Sequence, residues 1–497
     1  MKIKKPPKLV LLAADELAAP LTDAINSSIR NYRFPDNGKR AAVCPLDKGE
    51  ANRTVERNFR PVSILNIFSK IYEKILKNQL VPYLDETLSL FIAAYRKAYG
   101  TQHVLIRMIE EWRVKLDNDN IVGAILMDLS KAFDCIPHDL LIAKLHAYGF
   151  DENALVLIYS YLKRRKQSVR INNTYSSFQT ILSGVPQGSV LGPILFNIYI
   201  NDLFLFINRA TLHNYADDNT LAYFSKTLSN LIEVLEKEAG VALTWLKQNQ
   251  MIANPEKFHA LLIRKDQTNT SGENFNIQSK MIKSEETVKL LGIQLDYRLN
   301  FEQHISELCR KAASQLNVLK RLKHFIGFNE RKILVQSFVY SNFDYCPLVW
   351  YFSSAKALQK IEKIQERALR FLYNDHRSSY SDLLLKSERC TMHVSRLRVL
   401  CIEVFKTLKN LNPSFMHDIF KIKSSIYSSR NPNDLQHYRP NQVTFGSNSL
   451  RSLGPQIWNG LPIEIKSAEN LNSFKHMIKK WDGPNCKCNA CQHVTET

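Results

Sequence analysis

The stretch Thr211-Leu212-His213-Asn214-Tyr215-Ala216-Asp217-Asp218-Asn219-Thr220-Leu221-Ala222-Tyr223-Phe224 decides the architecture. Thr211–Tyr215 and Thr220–Phe224 carry strand-forming residues on either side of a short polar turn, which predicts a β-hairpin. Two adjacent carboxylates, Asp217 and Asp218, sit at its tip. Adjacent acids alone are ordinary turn chemistry; a third acid upstream gives these two their weight. Residues Ile121–Met127 form a short, almost wholly apolar run ending at Asp128. That pattern predicts a buried strand with a carboxylate at its C-terminal end.

Between that strand and the hairpin the sequence predicts helices at Asp139–Tyr148, closed by Gly149, and at Glu152–Arg165. A glycine-rich turn, Gly184–Gly192, then leads into an apolar helix, Pro193–Phe206. After the hairpin come a long helix, Leu228–Gln250, and strands at Ala260–Arg264 and Val288–Leu295. The order strand, helices, hairpin, helix, strand is that of a ferredoxin-like β-α-β-β-α-β sheet with helices on one face. In such a sheet the first strand neighbours the hairpin, so Asp128, Asp217 and Asp218 converge despite their distance in sequence. Clustered carboxylates repel unless a cation neutralises them. All-oxygen ligands favour Mg²⁺ or Mn²⁺. Two such ions can activate an attacking hydroxyl and stabilise a departing pyrophosphate.

Upstream, helical spacing covers Asp15–Ile29, Ile64–Leu84 (ended near Pro82) and Thr101–Asp117, while Arg33–Asn58 reads as loops and short strands. Beyond residue 300 the pattern is mostly helical, with a loop-rich region near Ser424–Ser449. The chain has 497 residues, 45% hydrophobic and 23% charged, which is a globular and not a disordered composition. Its 67 Lys and Arg against 47 Asp and Glu leave a charge of +20, which favours a polyanionic partner. Residues 301–497 hold 29 basic and 16 acidic side chains, so the surplus lies mainly there. Nine scattered cysteines do not make a disulfide scaffold and indicate a reducing compartment. Lys2, Lys4, Lys5 and Lys8 precede an apolar run, Leu9–Ala14, but Asp15 and Glu16 cut it too short for a signal peptide. The most apolar candidate for a membrane span, Pro193–Ile207, is broken by Asn197, Asn201 and Asp202 and falls short of about 20 residues. The expectation is an intracellular protein of the nucleus or cytoplasm, neither secreted nor membrane-bound.

Six ordered strings carry a family resemblance. Tyr215-Ala216-Asp217-Asp218 resembles the aromatic-x-Asp-Asp box of reverse transcriptases from non-LTR (LINE-type, jockey-like) retrotransposons. Ile125-Leu126-Met127-Asp128-Leu129-Ser130-Lys131-Ala132-Phe133-Asp134 is similar to their first catalytic motif, and Gly184-Val185-Pro186-Gln187-Gly188-Ser189-Val190-Leu191-Gly192-Pro193 to their Pro-Gln-Gly motif. Asn58-Phe59-Arg60-Pro61-Val62-Ser63 resembles the fingers motif. Asn254-Pro255-Glu256-Lys257 and Leu290-Leu291-Gly292 resemble the two later palm motifs. The likeness runs from about residue 15 to 300 and continues more weakly almost to the end.

The resemblance implies an α+β right-hand polymerase. It implies an N-terminal segment and fingers over 1–120, a ferredoxin-like palm with part of the fingers over 121–299, a helical thumb over 300–376 and a mostly helical C-terminal extension over 377–485. It further implies an RNA-directed DNA polymerase working on an RNA template, a DNA primer and dNTPs. Asp128 and Asp217 would hold two Mg²⁺ or Mn²⁺ ions with support from Asp218. Phe133 would lie under the incoming sugar, where a 2′-hydroxyl clashes. Gln187, Gly188 and Tyr215 would line the nucleotide site, Lys48 and Arg60 would grip the triphosphate, and Lys257 would protonate the leaving pyrophosphate. Leu291 and Gly292 would belong to the turn that holds the primer end.

Outside those motifs, Lys356, Lys360, Lys363, Arg367 and Arg370 recur at helical spacing and make one basic stripe, as a thumb helix along template–primer phosphates requires. Arg310, Lys311, Lys320, Arg321 and Lys323 are the next candidates for that grip. The tail 486–497 carries Cys486, Cys488, Cys491 and His493, a compact set of soft ligands that could bind Zn²⁺, against the alternative of an unstructured tail with free thiols. Longer members of the resembled class carry an upstream endonuclease. This chain opens just ahead of the fingers and shows no ribonuclease H carboxylate set. That predicts a piece or truncated copy of an element, with an endonuclease supplied in trans. The rival readings are a catalytically inactive, domesticated nucleic-acid-binding remnant, against which the intact acids argue, and an RNA-dependent RNA polymerase, against which Phe133 and the Pro-Gln-Gly motif argue.

Overall fold

The computed structural model describes residues 7–47, 49, 58–423 and 434–484. They form two compact units: one drawn from Met1–Tyr95, Met127–Asn219 and Glu238–Phe258, the other from Arg96–Leu126, Thr220–Lys237 and His259–Thr497. In chain order the strands are β1 (Arg40–Asp47), β2 (Phe59–Ile64), β3 (Ile121–Ser130), β4 (Lys166–Ile171), β5 (Thr174–Tyr175), β6 (Gln179–Thr180), β7 (Thr211–Tyr215), β8 (Asp218–Ser225), β9 (Ile252–Ala253), β10 (His259–Ile263), β11 (Asn274–Ile277), β12 (Lys280–Glu285), β13 (Thr287–Leu290) and β14 (Ile293–Asp296). One sheet runs β11-β12-β10-β3-β8-β7, with β9 also on β3. Its central four strands, β10-β3-β8-β7, carry the split βαβ arrangement that the sequence predicts: the first strand lies between the last and the third. The protein is α+β, with a helical C-terminal region.

In the first unit a second sheet runs β2-β1-β4-β5, with β6 on β4. Strand β1 pairs antiparallel with β2, placing Leu46 opposite Arg60, and parallel with β4. Strands β4 to β6 are not apparent in the sequence, because their short polar segments lack apolar alternation. Phe34 stacks on Tyr72 at 5.0 Å and meets Tyr161 edge-on at 5.0 Å. Helix Ile67–Thr87 begins where the Asn66 side chain accepts a hydrogen bond from Phe68 N at 3.1 Å. It corrects the expectation of Ile64–Leu84 with a stop near Pro82. The helix runs through Pro82 because its last turn is held by Leu84, only 2% exposed. The expected helix Pro193–Phe206 is two helices, Gly192–Asn201 and Leu203–Phe206. At the break the Asp202 carboxylate binds the Lys144 ammonium at 2.7 and 2.9 Å.

In the second unit β10 pairs antiparallel with β3, Leu261 opposite Ala124, and parallel with β12. Helices Thr101–Asp117, Glu302–Arg321, Ala355–Tyr373, Met392–Leu408, Leu450–Asn459 and Leu471–Ile478 share a core containing Trp112, Phe301, Trp350, Phe405 and Trp458. The span Val288–Leu295, expected as one strand, is the hairpin β13–β14 with Leu291 and Gly292 as its loop. Both loop residues have positive φ, +46° and +79°, the backbone that a tight two-residue hairpin demands. No helix among the described residues is long and apolar enough to cross a membrane. The six described cysteines are free thiols.

Candidate active site

The acids meet in the first unit. Asp128 is not the last residue of its strand: β3 continues to Ser130 because Leu129 and Ser130 pair with Ala253 and Ile252 of β9. That pairing delivers the following loop to Asp128. Asn254 N donates to the Asp128 carbonyl at 3.4 Å, the Asn254 side chain accepts from Glu256 N at 3.1 Å, and Lys257 N donates to the Asn254 carbonyl at 2.9 Å. The Lys257 ammonium thereby stands 3.3 Å from Asp128 Oδ2.

Strand β7 ends at Tyr215 and β8 starts at Asp218, leaving Ala216 and Asp217 as the loop. Ala216 has φ +56°, a left-handed backbone that is costly for a residue with a Cβ. Two buried asparagines hold it. The Asn214 amide donates to the Ala216 carbonyl at 2.7 Å and to Asn219 Oδ1 at 3.0 Å, and the Asn219 amide donates to the Asp217 carbonyl at 3.3 Å. Asp217 is exposed, while Asp128 and Asp218 are half-buried. The Asp218 carboxyl is pushed up to about 6, first by burial and then by the negative charges of Asp217 and Asp128; Arg60 pulls in the opposite direction. Asp217, Asp128 and the Arg60 guanidinium therefore all lie within electrostatic reach of Asp218. Among the described residues no three His, Cys, Asp or Glu side chains close on one metal-holding point. All-oxygen donors whose charges already disfavour one another still fit a hard divalent cation.

Beside the acids is an aromatic and glycine-lined floor. The Phe133 ring stacks on Phe196 at 4.6 Å and meets Tyr95 edge-on at 6.1 Å. The Tyr95 hydroxyl is pushed above its ordinary range by burial, then by Asp217 and Tyr215, which sets it next to the hairpin tip. Gln187 Nε2 donates to both Asp134 carboxylate oxygens, at 3.1 and 2.9 Å, and its carbonyl accepts from Ser63 N at 2.7 Å. At Gly188, φ is +107° and a Cβ would lie 2.8 Å from the Ser63 carbonyl, so only glycine fits. The segment is fixed from behind by Glu73, a buried carboxylate that accepts from Val190 N at 2.6 Å and Leu191 N at 3.2 Å, just ahead of helix Gly192–Asn201.

The sequence model described as reverse transcriptase (RNA-dependent DNA polymerase) matches residues 47–295, half of the chain. The chain belongs to the reverse transcriptase family. Members of that family use divalent metal ions. The chain is 26% identical over 390 residues to a Drosophila melanogaster protein named probable RNA-directed DNA polymerase from transposon BS, covering 75% of this chain and 43% of that protein. It is 24% identical over 375 residues to the RNA-directed DNA polymerase from mobile element jockey of the same organism, covering 73% and 41%. It thus spans about two fifths of the length of these relatives. Among solved structures, apo telomerase from Candida tropicalis shows a TM-score of 0.38 at 11% identity, covering 72% of this chain and 68% of that one.

The remaining motif residues of this reverse transcriptase family member fall elsewhere. Leu291 and Gly292 are in the second unit, where Tyr345 OH donates to the Leu291 carbonyl at 2.7 Å. Lys356, Lys360, Lys363 and Arg367 are exposed along helix Ala355–Tyr373 in the same unit. Arg370 is turned to Glu366 (2.7 Å) and to the Ser378 carbonyl (3.1 Å). Lys48, and Cys486, Cys488, Cys491 and His493, lie outside the described residues. The sequence motifs assign no role to Asn214, Asn219, Tyr95, Asp134 or Glu73. The asparagines carried a readable signal, since an amide on each side of a turn is equipped to bridge it. Tyr95 and Glu73 carried none, because they reach the site only through tertiary packing.

Proposed function

We propose that this chain is an RNA-directed DNA polymerase that extends a DNA primer with dNTPs on an RNA template. The observation that carries the reading is the electrostatic coupling of Asp218 to Asp217 and Asp128, with Lys257 beside Asp128 and Arg60 acting on Asp218. In this reading Asp128 and Asp217 hold two divalent cations, Mg²⁺ or Mn²⁺, and Asp218 supports them. Bound there, the ions would lower the pKa of the primer hydroxyl and offset charge on the phosphates. The 3′-oxygen bonds to the α-phosphorus as the bond to the pyrophosphate oxygen breaks, and the hydroxyl proton leaves to water. Lys257 donates a proton to the departing pyrophosphate. Arg60, with Lys48, holds the triphosphate. The Phe133 ring, fixed by Phe196 and Tyr95, excludes a 2′-hydroxyl. Gln187, held by Asp134, and Gly188 meet the nucleotide and its template base, with Tyr215 beside them. Asp134 and Asn214 are positioning residues.

We assign residues 1–120 to an N-terminal segment and fingers, 121–299 to the palm, 300–376 to the thumb and 377–485 to an extension. The Leu291-Gly292 loop holds the primer end. The stripe Lys356, Lys360, Lys363, Arg367 and Arg370 grips template–primer phosphates, with Arg370 the least available because Glu366 already engages it. An endonuclease acting in trans would supply the primer end, and an intracellular setting suits the six free thiols among the described residues. Cys486, Cys488, Cys491 and His493 are candidate Zn²⁺ ligands. Purified chain with poly(rA)/oligo(dT), dTTP and Mg²⁺ tests the assignment: wild type extends the primer and Asp217→Ala does not, while both bind the template. Extension by the Asp217→Ala chain at more than about a tenth of the wild-type rate would sink it, given the many orders of magnitude that metal-assisted chemistry supplies.

A further inference from the structure

In the second unit, helices Glu302–Arg321 and Ala355–Tyr373 lie side by side and run in the same direction. Lys360 Nζ donates to Ser306 Oγ at 3.2 Å near their starts, and Lys323 bonds Asn374 just past their ends. Exposed cations follow both: Arg310, Lys311, Lys320 and Arg321 on the first, Lys356, Lys360, Lys363 and Arg367 on the second. At 1.5 Å per residue the 20-residue first helix makes this ridge about 30 Å long. At its far end the chain turns through Leu322–Gly327, with Phe325 N bonded to the Leu322 carbonyl at 2.9 Å. Phe325 at the tip is 85% exposed, more than any other aromatic ring among the described residues. Phe328 anchors the base of the tip against Tyr373 at 5.5 Å. Between Val318 and Leu334 the cations are Lys320, Arg321, Lys323, Arg331 and Lys332, with His324 beside Phe325; the one acid is Glu330.

Basic residues at a helix C-terminus are partly explained by the helix dipole. That does not explain a bare phenyl ring set among them. A ring flanked by cations is the pairing that captures an unpaired base, by stacking on its face while the cations hold its phosphates. A compact patch of this chemistry would also suit an anionic lipid surface. The linear continuation of charge along two helices instead matches a strand of phosphates.

We propose that the Leu322–Phe328 tip is a stacking platform for an unpaired nucleotide of a nucleic-acid strand running along this ridge, with Phe325 as the stacking ring. This rests on the polymerase reading above. The test uses the full chain, wild type, Phe325→Ala and Phe325→Trp, with dye-labelled duplexes that are blunt or carry a ten-nucleotide single-stranded RNA or DNA overhang, and with anionic phosphatidylserine vesicles. Phe325→Ala should weaken overhang binding by about 5- to 150-fold, the equivalent of one stacked base. Blunt-duplex binding should stay within about twofold, and Phe325→Trp should restore the overhang preference. The RNA and DNA arms show which strand is held. Equal overhang binding by wild type and Phe325→Ala, or a loss confined to vesicles, overturns the platform while leaving the polymerase reading intact. Failure of wild type to bind any of the duplexes overturns both. Because the ring is exposed, unchanged melting of Phe325→Ala is expected, and the tryptophan variant decides the matter if the alanine variant misfolds.

Discussion

Asn214→Ala should uncouple catalysis from substrate binding. The Asn214 side chain is wholly buried, and its amide supplies two side-chain hydrogen bonds across the Ala216-Asp217 loop, with a third from Asn219. Truncation leaves the Ala216 carbonyl and Asn219 Oδ1 without these donors. Each buried polar group so stranded costs about 1–3 kcal/mol. The loop also holds Ala216 at φ +56°, a conformation that costs about 1–2 kcal/mol without support. A loss of about 2–3 kcal/mol of turn order lowers the population of the competent turn by roughly 30- to 150-fold where no margin existed. With some margin, kcat should fall about 10- to 100-fold, in line with the effect of misplacing a reacting group by about 1 Å. The dNTP KM should move less than about threefold, because Arg60, Phe133 and Gln187 do not depend on the latch. Asn219→Ala removes the weaker 3.3 Å bond and one partner of Asn214, so its kcat should lie between that variant and wild type. Single-turnover primer extension with titrated dTTP measures both constants. A kcat for Asn214→Ala within about threefold of wild type, in a chain that melts normally, would refute the view that this latch positions Asp217.

Phe133→Ala should admit rNTPs, read as a fall in the dNTP to rNTP ratio of kcat/KM; an unchanged ratio in an active variant makes Phe133 a packing residue between Tyr95 and Phe196. Replacing Lys360, Lys363 and Arg367 by Gln should weaken template–primer binding and flatten log K against log[salt] by about two units, at roughly 0.7–0.9 per phosphate contact. An unaltered slope moves the grip to Arg310, Lys311, Lys320, Arg321 and Lys323. Glu403 should make the second unit acid-sensitive. Burial alone raises its carboxyl, but bonds from His103 and Lys406 outweigh it and bring it down to about 2 from an ordinary 4.5. A depressed folded value stabilises above pH 4.5, and that stability is lost as pH falls from 4.5 toward 2, about 3 kcal/mol in all. Tryptophan-monitored urea unfolding of Glu403→Gln should show a flatter pH dependence in that window, and an identical profile would remove the pair from the account.

The ferredoxin-like sheet order was legible because its strands differ from its helices in apolar period. The approach of Asp128 to the hairpin follows from that order alone. What stayed hidden depends on partners distant in the chain. Asp128 reads as the end of its strand because Met127 closes the apolar run, yet Ile252 and Ala253 extend the ladder by two residues. Pro82 read as a stop because local geometry penalises it, yet the burial of Leu84 carries the helix onward. Val288–Leu295 read as one strand because a two-residue loop at Leu291 and Gly292 barely interrupts its alternation.

Residues 377–485 give no functional signal in sequence, and the reason lies in helix Thr101–Asp117. Its apolar face was readable, but three of its polar residues, His103, Glu110 and Asp117, are also buried. They are seven residues apart, so they fall along one face of the helix. His103 Nδ1 accepts from Gly100 N at 3.1 Å, which fixes the proton on Nε2, and Nε2 donates to Glu403 at 3.1 Å. Glu110 accepts from Leu450 N at 2.9 Å and Arg451 N at 3.1 Å, capping helix Leu450–Asn459 from outside. Asp117 accepts from Tyr438 OH, Asn441 N and Gln442 N at 2.9, 3.0 and 2.8 Å. A buried charge is tolerated only when its lone pairs are filled, and these are filled by residues more than 280 positions later. Residues 403–451 therefore complete the burial of a helix that lies within the first quarter of the chain. A helix whose polar face makes sense only with a distant partner cannot be read from its own periodicity.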